Sequence, residues 1–268
     1  MTDHATAAQA HRLANLFDLR GQVALVTGGS RGLGLQIAEA LGEYGARIVL
    51  VARKAADLDA AVAHLGSLGI AAEAMARDLG TPEAADALVA QIVERHGRLD
   101  ILVNNAGTSW GAPMDDYPLE GWNKVFDLNV TGLFLLTQAA GRRAFLPQGR
   151  GKVLNIASVE GLGGHHPKIV GTIGYNAAKG AVVNFTRALA AEWGPRNVNV
   201  NALAPGFFPT KLANVLLESH GDYLLDHTPL GRLGGDDDLK GAALLLVSEA
   251  GRHITGQVLV IDGGAAVI

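Results

Sequence analysis

Short, β-rich apolar runs alternate regularly with longer segments of helical spacing, and this alternation constrains the fold more than any other feature of the sequence. Several short runs are continuously apolar, as expected of parallel strands that are covered on both faces. In the first helical segment Leu33, Ile37 and Leu41 share one face. We predict strands at Val23–Val26, Arg47–Val51, Ala71–Met75, Ile101–Asn104, Lys152–Ile156, Val198–Leu203 and Gln257–Ile261.

Repeated strand–helix–strand units without a long linker predict the α/β class, with one doubly wound sheet and helices on both of its faces. No Pro/Ser-rich linker and no repeat of solenoid period interrupts the sequence. We therefore expect a single domain over residues 16–268, preceded by a flexible N-terminal arm over residues 1–15.

The composition excludes several classes of protein. Hydrophobic residues make up 49% of the chain and charged residues 18%, which indicates a packed domain rather than a disordered chain. The net charge of −4 and the lack of a long basic run argue against a nucleic-acid partner. With no cysteine, disulfides, thiolate nucleophiles and cysteine-ligated metal sites are excluded. The first twenty residues lack the continuous apolar core of a signal peptide, and no apolar run is long enough to cross a bilayer. We therefore expect a cytoplasmic protein with no membrane partner.

Two long helical segments are apolar on more than one face. They are Leu119–Phe145 and Asn176–Trp193. One face of each can cover the sheet, and the other needs a second partner. We expect a subunit interface here, in a homotetramer or a homodimer; a large monomer core is the alternative.

A glycine-rich turn, Thr-Gly-Gly-Ser-Arg-Gly-Leu-Gly at residues 27–34, follows the first strand and opens the first helix. Glycine lets the backbone turn sharply and approach a pyrophosphate, and free N–H groups at a helix start point at its charge. A purely structural turn is the alternative, but the position between a strand and an amphipathic helix favours a dinucleotide site. The candidate contacts in the turn are Gly28, Ser30, Arg31, Gly32, Leu33 and Gly34.

The end of the second strand bears on the choice of cofactor. A dinucleotide fold that selects NAD usually places an acidic residue there to hold both ribose hydroxyls. This chain has Ala52 followed by Arg53, and Arg31 projects from the glycine-rich turn. Two guanidinium groups suit the 2′-phosphate of NADP, because arginine pairs with phosphate in a bidentate manner. We therefore favour NADP(H); NAD(H) is the alternative if both arginines are ordinary surface residues.

Two further segments follow strands at the expected cofactor edge. After the third strand comes Asp78-Leu79, where the carboxylate can accept a hydrogen bond from adenine or can instead cap a helix that starts near Thr81-Pro82. After the fourth strand, small residues permit a close approach to a cofactor. The candidate contacts are Asp78, Leu79, Asn105, Ala106 and Gly107.

Tyr175 and Lys179 stand four residues apart in a helical segment, so their side chains share a face. A free phenol is a poor base at neutral pH. A nearby ammonium, helped by the positive charge of an oxidised nicotinamide, is expected to lower the pKa of the phenol toward the working range. Tyr175 can then give a proton to a carbonyl oxygen as hydride arrives, or take one from an alcohol.

Ser158 and Asn129 complete the candidate catalytic set. Ser158 ends the fifth strand, and its hydroxyl can bond the substrate oxygen. A nucleophilic serine would need a Gly-x-Ser-x-Gly elbow, which Ala157-Ser158-Val159 does not supply. Asn129 is an amide in an apolar helix, which is costly unless its hydrogen bonds are satisfied. It can bond backbone and hold a water that links Lys179 to solvent, or it can simply accompany a kink in the helix.

Taken together, these residues resemble the short-chain dehydrogenase/reductase family over residues 16–268. Leu16–Gly21 is similar to gluconate 5-dehydrogenase-like members, and other stretches are similar to 3-oxoacyl-carrier-protein reductases. The motifs of the resemblance are Thr27-Gly28-x-x-x-Gly32-x-Gly34, Asn104-Asn105-Ala106-Gly107, Asn129, Ser158, Tyr175-x-x-x-Lys179, Pro205-Gly206 and Ile261-Asp262-Gly263-Gly264.

The resemblance implies a Rossmann-type domain with a seven-stranded parallel sheet and an NAD(P)(H)-dependent oxidoreductase that acts on a small-molecule carbonyl or secondary alcohol. It also implies that Lys179 holds the nicotinamide ribose hydroxyls, and that Phe208 and Thr210, after Pro205-Gly206, flank the nicotinamide amide. The implied catalytic tetrad is Asn129, Ser158, Tyr175 and Lys179.

Two features depart from the family pattern. Residues 163–170 lengthen the interval between Ser158 and Tyr175, and we expect them to form part of the substrate pocket wall. His165-His166 within them is more typical of loop surface than of a metal site, because no third ligand is identifiable. The second departure is Phe207-Phe208-Pro209, which suggests a hydrophobic lid within residues 206–228, followed by a mobile helix Lys211–His220.

Other functions stay open at this point. An NAD-dependent sugar-acid or polyol dehydrogenase is the nearest alternative. A non-catalytic dinucleotide-sensing protein would be expected to lose the tyrosine or the lysine, and both are present. Epimerases and dehydratases also use a Tyr–Lys pair, but with a different glycine spacing and a longer C-terminal substrate domain.

Overall fold

A computed structural model describes residues 13–164, 171–210 and 214–268, without the side chains of residues 214–216. Most of the predicted N-terminal arm, the His165-His166 pair and the start of the predicted Lys211–His220 helix lie outside the described residues. The strands are β1 Val23–Thr27, β2 Arg47–Ala52, β3 Ala72–Ala76, β4 Ile101–Asn104, β5 Gly151–Ile156, β6 Val198–Pro205 and β7 Val258–Ile261. Each coincides with a predicted strand to within two residues.

All seven strands form one parallel sheet in the order β3-β2-β1-β4-β5-β6-β7. The predicted α/β fold is confirmed. The strand order reverses between β1 and β4, and ligands of open α/β sheets bind outside the carboxyl ends of the strands at such a point. The fold therefore predicts a ligand site at the loops that follow β1 and β4.

The helices lie on both faces of the sheet. They are α1 Gly32–Glu43, α2 Ala55–Ser67, α3 Pro82–His96, α4 Leu119–Phe126, α5 Leu133–Ala140, α6 Leu146–Gln148, α7 Ile173–Trp193, α8 Asn214–Asp226 and α9 Lys240–Val247. In β1, Ala24 and Val26 pack into one core with α1, α2 and α9. Val23 and Leu25 pack into a second core with α3, α5 and α7. This two-sided burial explains why the strand is continuously apolar.

The predicted helix Leu119–Phe145 is interrupted in the structure. The π-helical turns Asp127–Gly132 and Gly141–Phe145 separate α4, α5 and α6. A π-helical turn widens the backbone spiral, and such turns are frequent at functional sites. The first one contains the buried Asn129. Within the described residues, no helix is both long and apolar enough to span a membrane.

Candidate active site

The glycine-rich turn is bound tightly to the loop after β4. Asn105 donates its side-chain amide to the carbonyl oxygens of Thr27 at 2.9 Å and of Gly28 at 3.2 Å. Gly28 has a φ of +62°, and a Cβ there would lie 2.9 Å from the Asn105 Nδ2 atom. At Gly34 a Cβ would overlap the same Nδ2 atom of Asn105. Both glycines are required because the two loops approach more closely than any side chain permits.

The start of α1 fits a pyrophosphate. Its N-cap residue, Arg31, has extended backbone and makes no side-chain capping bond, so the first N–H groups have no side-chain acceptor among the described residues. These N–H groups and the positive end of the helix favour an anion. Gly32 has a φ of +54°, and Thr210 lies over it, with its methyl carbon 3.5 Å from where a Cβ would be. Of the other candidates, Ser30 is partly buried and Leu33 packs against the core.

A cleft of about 750 Å³ joins the predicted adenosine contacts. Arg53, Asp78 and Leu79 line it together. Asp78 does not cap α3, because the hydroxyl of Thr81 accepts from the α3 backbone at 3.2 Å, so that alternative is wrong. Arg31 does not line this cleft; its guanidinium pairs loosely with Asp57 at 3.6 Å.

Tyr175 and Lys179 share a face of α7, as predicted from their spacing. The ammonium of Lys179 lies 5.5 Å from the centre of the Tyr175 ring and donates to the carbonyl oxygen of Ile156 at 2.6 Å. The Lys179 residue is 5% exposed. Ser158 follows β5 and lies close enough to Tyr175 for its hydroxyl to act on the pKa of the phenol. The structure therefore brings the serine, the tyrosine and the lysine together at the carboxyl edge of the sheet.

Asn129 reaches this cluster from the π-helical turn. Its side chain accepts from the backbone N–H of Thr108 at 2.8 Å and donates to the Thr108 carbonyl at 2.9 Å, so the expectation that it bonds backbone is confirmed. A Cβ on Gly107 would lie 3.3 Å from Asn129 Oδ1 and 3.7 Å from Lys179 Nζ. Gly107 thus leaves room between the amide and the ammonium. The predicted water between them stays a prediction.

Burial dominates the ionisation of the central pair. It raises the pKa of the Tyr175 phenol to about 12; the neighbouring Ser158 hydroxyl acts in the opposite direction, and the charge of Glu160 raises the pKa further. Burial also lowers the pKa of the Lys179 ammonium to about 8. In the residues of the chain alone, the loss of hydration dominates the pKa of Tyr175. The expected lowering, which also invoked the positive charge of an oxidised nicotinamide, stays a prediction.

The segment after β6 differs in part from expectation. Pro205 ends the strand, and a Cβ on Gly206 would lie 2.7 Å from the Cβ of Asp262, which explains the glycine. Phe208 is 4% exposed and packs in the core against Gly234. Phe208 itself is therefore a core residue whose ring fills space left by a glycine without a side chain, and the hydrophobic lid expected in this segment stays a prediction.

Sequence reasoning missed two contributors. Thr27 accepts at its hydroxyl from the backbone N–H groups of Asn105 and Ala106, both at 3.0 Å, and so orders the loop after β4. Glu160, whose carboxylate binds Asn176, raises the pKa of Tyr175 by its charge, and its only sequence signal is an acidic residue two positions after Ser158. Among the described residues, no group of three or more acidic or histidine side chains could hold a metal ion.

Comparisons with known proteins agree with this geometry. Residues 22–220 match the model of the short chain dehydrogenase family. The chain is 40% identical over 255 residues to gluconate 5-dehydrogenase of Gluconobacter oxydans, covering 94% of this chain and 98% of the relative. It is 38% identical over 253 residues to a rhamnolipid-biosynthesis 3-oxoacyl-[acyl-carrier-protein] reductase of Pseudomonas aeruginosa, covering 92% and 97%.

A solved structure is similar throughout. The gluconate 5-dehydrogenase of Burkholderia cenocepacia, in complex with NADP and tartrate, superposes with a TM-score of 0.90 at 35% identity, covering 96% of this chain and 99% of that one. The TM-score and the coverage show that the similarity to this family extends from the motifs to the whole fold. The chain belongs to the short-chain dehydrogenase family, and it is an NAD(P)(H)-dependent oxidoreductase that transfers a hydride between a nicotinamide ring and a carbonyl or alcohol carbon.

Proposed function

We propose that this enzyme is an NADP(H)-preferring carbonyl reductase or alcohol dehydrogenase in which Tyr175 is the general acid and base. The observation that carries the proposal is the grouping of Ser158, Tyr175 and the buried ammonium of Lys179 at the carboxyl edge of the sheet. When bound, the cofactor gives or takes the hydride, and its oxidised ring adds positive charge to the site. In reduction, the Tyr175 hydroxyl gives its proton to the carbonyl oxygen. The Ser158 hydroxyl donates a hydrogen bond to the same oxygen and stabilises its developing charge.

Lys179 and Asn129 support this step. We propose that Lys179 holds the nicotinamide ribose hydroxyls and that its positive charge favours the phenolate when Tyr175 loses its proton. Asn129, fixed by two bonds to Thr108, presents its amide near Lys179 and is suited to a proton path toward solvent. Thr210 and the backbone at Gly206 and Phe208 remain proposed contacts of the nicotinamide end.

The cofactor preference rests on Arg53. It stands at the cleft that Asp78 and Leu79 also line, directly after Ala52, where an NAD-selective fold usually has an acid. The NADP in the Burkholderia cenocepacia relative supports this choice. Arg31 is exposed and paired loosely with Asp57, which leaves it free to reorient toward a 2′-phosphate.

An NAD-dependent sugar-acid or polyol dehydrogenase is the second candidate, favoured by the name of the Gluconobacter oxydans relative. The test is a screen of purified enzyme against ketones, 3-oxoacyl thioesters, polyols and sugar acids with each cofactor, read by nicotinamide absorbance. We expect kcat/KM to be higher with the NADP(H) form. A tenfold preference for NAD(H), about 1.4 kcal/mol, would overturn the cofactor assignment. No turnover of any carbonyl or alcohol would overturn the proposed function.

We also propose a cytoplasmic homotetramer or homodimer, formed by one domain over residues 16–268 with a substrate lid within residues 206–228. Apolar side chains on α4, α5 and α7 support the oligomer: Leu119 is 71% exposed, Phe134 43% and Ile173 41%. Light scattering of the purified protein measures the molar mass directly. We expect Phe134→Asp to lower it, and a monomeric mass for the unmodified protein would contradict the proposal.

A further inference from the structure

A second tyrosine contacts the start of α7, the helix that carries Tyr175 and Lys179. Tyr117 is partly buried, whereas every other residue from 113 to 120 is exposed. Its hydroxyl oxygen lies only 2.6 Å from where a Cβ on Gly174 would be. Gly174 is buried in the first turn of α7 and directly precedes Tyr175. The side chain of Tyr117 therefore turns inward and meets the backbone next to the proposed proton donor.

The Tyr117 hydroxyl is oriented by a hydrogen bond of its own. It donates its single proton to the backbone carbonyl of Trp110 at 3.1 Å, so its lone pairs can accept from α7. The N–H of Gly174 belongs to the first helical turn, where no intrahelical acceptor is within reach, and the N-cap residue Thr172 makes no side-chain capping bond to the described residues. Burial raises the pKa of the Tyr117 phenol, and the backbone of Gly174 acts in the opposite direction, as an N–H that points at the oxygen would. Tyr117 thus stands in the place of a capping side chain.

The acceptor of this bond, Trp110, is itself held in place. Its indole ring covers Gly121 in α4, where a Cβ would lie 2.7 Å from the Trp110 Cγ atom. The ammonium of Lys124, also in α4, lies 5.0 Å from the ring centre, within the range of a cation–π contact. Two residues further along, the Ala112 N–H donates to the carbonyl oxygen of Gly171 at 3.1 Å, just before α7. The loop after β4 is therefore fixed both to α4 and to the segment that leads into α7.

This anchor bears on the position of Tyr175. A side chain in the first turn of a helix moves with the backbone of that turn, and a reacting group that is misplaced by about 1 Å can lose about 10²-fold in rate. Lys179, one turn further along α7, is anchored separately to the carbonyl oxygen of Ile156. The Tyr117 hydroxyl instead lies against the residue directly before Tyr175. Tyr117 is therefore placed to fix the position of Tyr175 relative to the sheet edge.

We propose that Tyr117 is a positioning residue whose hydroxyl holds the first turn of α7, and with it the Tyr175 phenol, in line with the substrate oxygen. The inference rests on the proposed function, because it needs Tyr175 to be the general acid and base. In this role Tyr117 keeps its own proton on the Trp110 carbonyl and acts only through the backbone of Gly174. The proton that is transferred is that of Tyr175.

Tyr117→Phe removes the hydroxyl and keeps the ring, and Tyr44→Phe, the same change at an exposed tyrosine after α1, is the matched control. We expect Y117F to lower kcat by about 10–10²-fold, with KM and the Kd of the cofactor little changed, because the groups that bind both are retained. The solvent deuterium isotope effect on kcat should rise, since transfer of the Tyr175 proton becomes slower. Y44F should match the unmodified enzyme in all these quantities. An unchanged kcat in Y117F, per mole of protein that binds cofactor, overturns the inference.

Gly174→Ala tests the same contact from the side of the helix. In the unmodified protein the added methyl would displace the Tyr117 hydroxyl, whereas in Y117F its nearest neighbour in that ring would be Cζ at 3.2 Å. Because both changes act on one contact, the double variant should lose no more kcat than Y117F alone; losses that multiply overturn the inference. If Y117F does not fold, G174A alone must lower kcat, and an unchanged kcat is then decisive against the inference.

Failure of this inference and failure of the proposed function give different results. Full turnover in Y117F together with a loss of turnover in Tyr175→Phe removes only the role of Tyr117. Unchanged turnover in Y175F removes the proposed function and, with it, any need to position Tyr175.

Discussion

The ammonium of Lys179 lies 5.5 Å from the centre of the Tyr175 ring and is bonded to a strand carbonyl oxygen. Both groups are buried, and burial disfavours the charged form of each. The pKa of the phenol is therefore raised and the pKa of the ammonium is lowered. The residues of the chain alone therefore keep Tyr175 protonated, as a proton donor for carbonyl reduction requires. Alcohol oxidation needs the opposite state, which the positive charge of an oxidised nicotinamide would favour.

Replacing Tyr175 by Phe removes the proposed proton donor and little else. We expect turnover to fall by about 10²–10⁴-fold, the usual contribution of general acid–base catalysis. Cofactor affinity, measured by fluorescence titration, should change little because the ring remains. Unchanged turnover would show that another group moves the proton.

The pH dependence of the two directions should differ in sign. Reduction needs the protonated phenol, so its kcat/KM should hold at neutral pH and fall only at alkaline pH; oxidation should rise over the same range. Glu160 raises the pKa of Tyr175. Glu160→Gln should therefore move both limbs of the pH profiles, the alkaline fall in reduction and the rise in oxidation, to lower pH. Ser158 and Lys179 also adjoin the phenol and are retained in this variant. Limbs that stay in place, or move to higher pH, would exclude an electrostatic effect of Glu160 on the phenol.

Lys179→Met should abolish turnover and stabilise the fold. The pKa of Lys179 is lowered from 10.5 to about 8, so the folded state is penalised for the charged ammonium below pH 8, and the penalty fades as pH rises to 10.5. The gain in the free energy of unfolding should be about 1–3 kcal/mol at pH 7, reduced by the bond that Ile156 loses. Urea unfolding of the variant and the unmodified protein at pH 7 and pH 10 measures this gain and its expected decrease with rising pH. A less stable variant at pH 7 would mean that the ammonium contributes net stability.

Gly161→Ala tests the contact between the Ser158 turn and α7. The added methyl would lie 2.5 Å from the backbone carbon of Lys179 and 2.8 Å from the nitrogen of Gly180. Backbone cannot yield as a flexible side chain does, so we expect about 1–3 kcal/mol of destabilisation and a loss of kcat as Ser158 is displaced. Gly66→Ala, on α2, is the control, since its Cβ would meet nothing within 4 Å. Thermal unfolding and turnover are measured for both variants. Equal stability and equal turnover of the two variants would contradict the predicted contact.

Arg53→Ala should weaken NADPH far more than NADH, by at least tenfold in Kd, because a 2′-phosphate loses its charged partner. Arg20→Ala removes an exposed arginine that pairs with Asp18 elsewhere on the surface and should leave both affinities unchanged. Fluorescence titration of each cofactor against each variant gives the four constants. Equal losses for NADPH and NADH in R53A would point to a packing role.

The strands and the positions of the motifs could be read from the sequence because their signals are local. In β1 alone, every residue is buried, with Ala24 and Val26 facing one core and Leu25 the other, and that burial leaves a continuous apolar run. The helical spacing of Tyr175 and Lys179 likewise sets their shared face without reference to the rest of the chain. The family resemblance added the functional class, which the comparisons support.

Other features depended on residues distant in the sequence. Phe208 is typical of a lid in its own segment, yet it fills the space above Gly234. Glu160 is held at α7 only because Asn176 binds its carboxylate. Local periodicity specifies elements because backbone geometry repeats within a few residues. The pKa of Tyr175, the burial of Phe208 and the placement of Glu160 were decided by the tertiary structure alone, because dehydration and packing depend on which distant groups exclude water from each side chain.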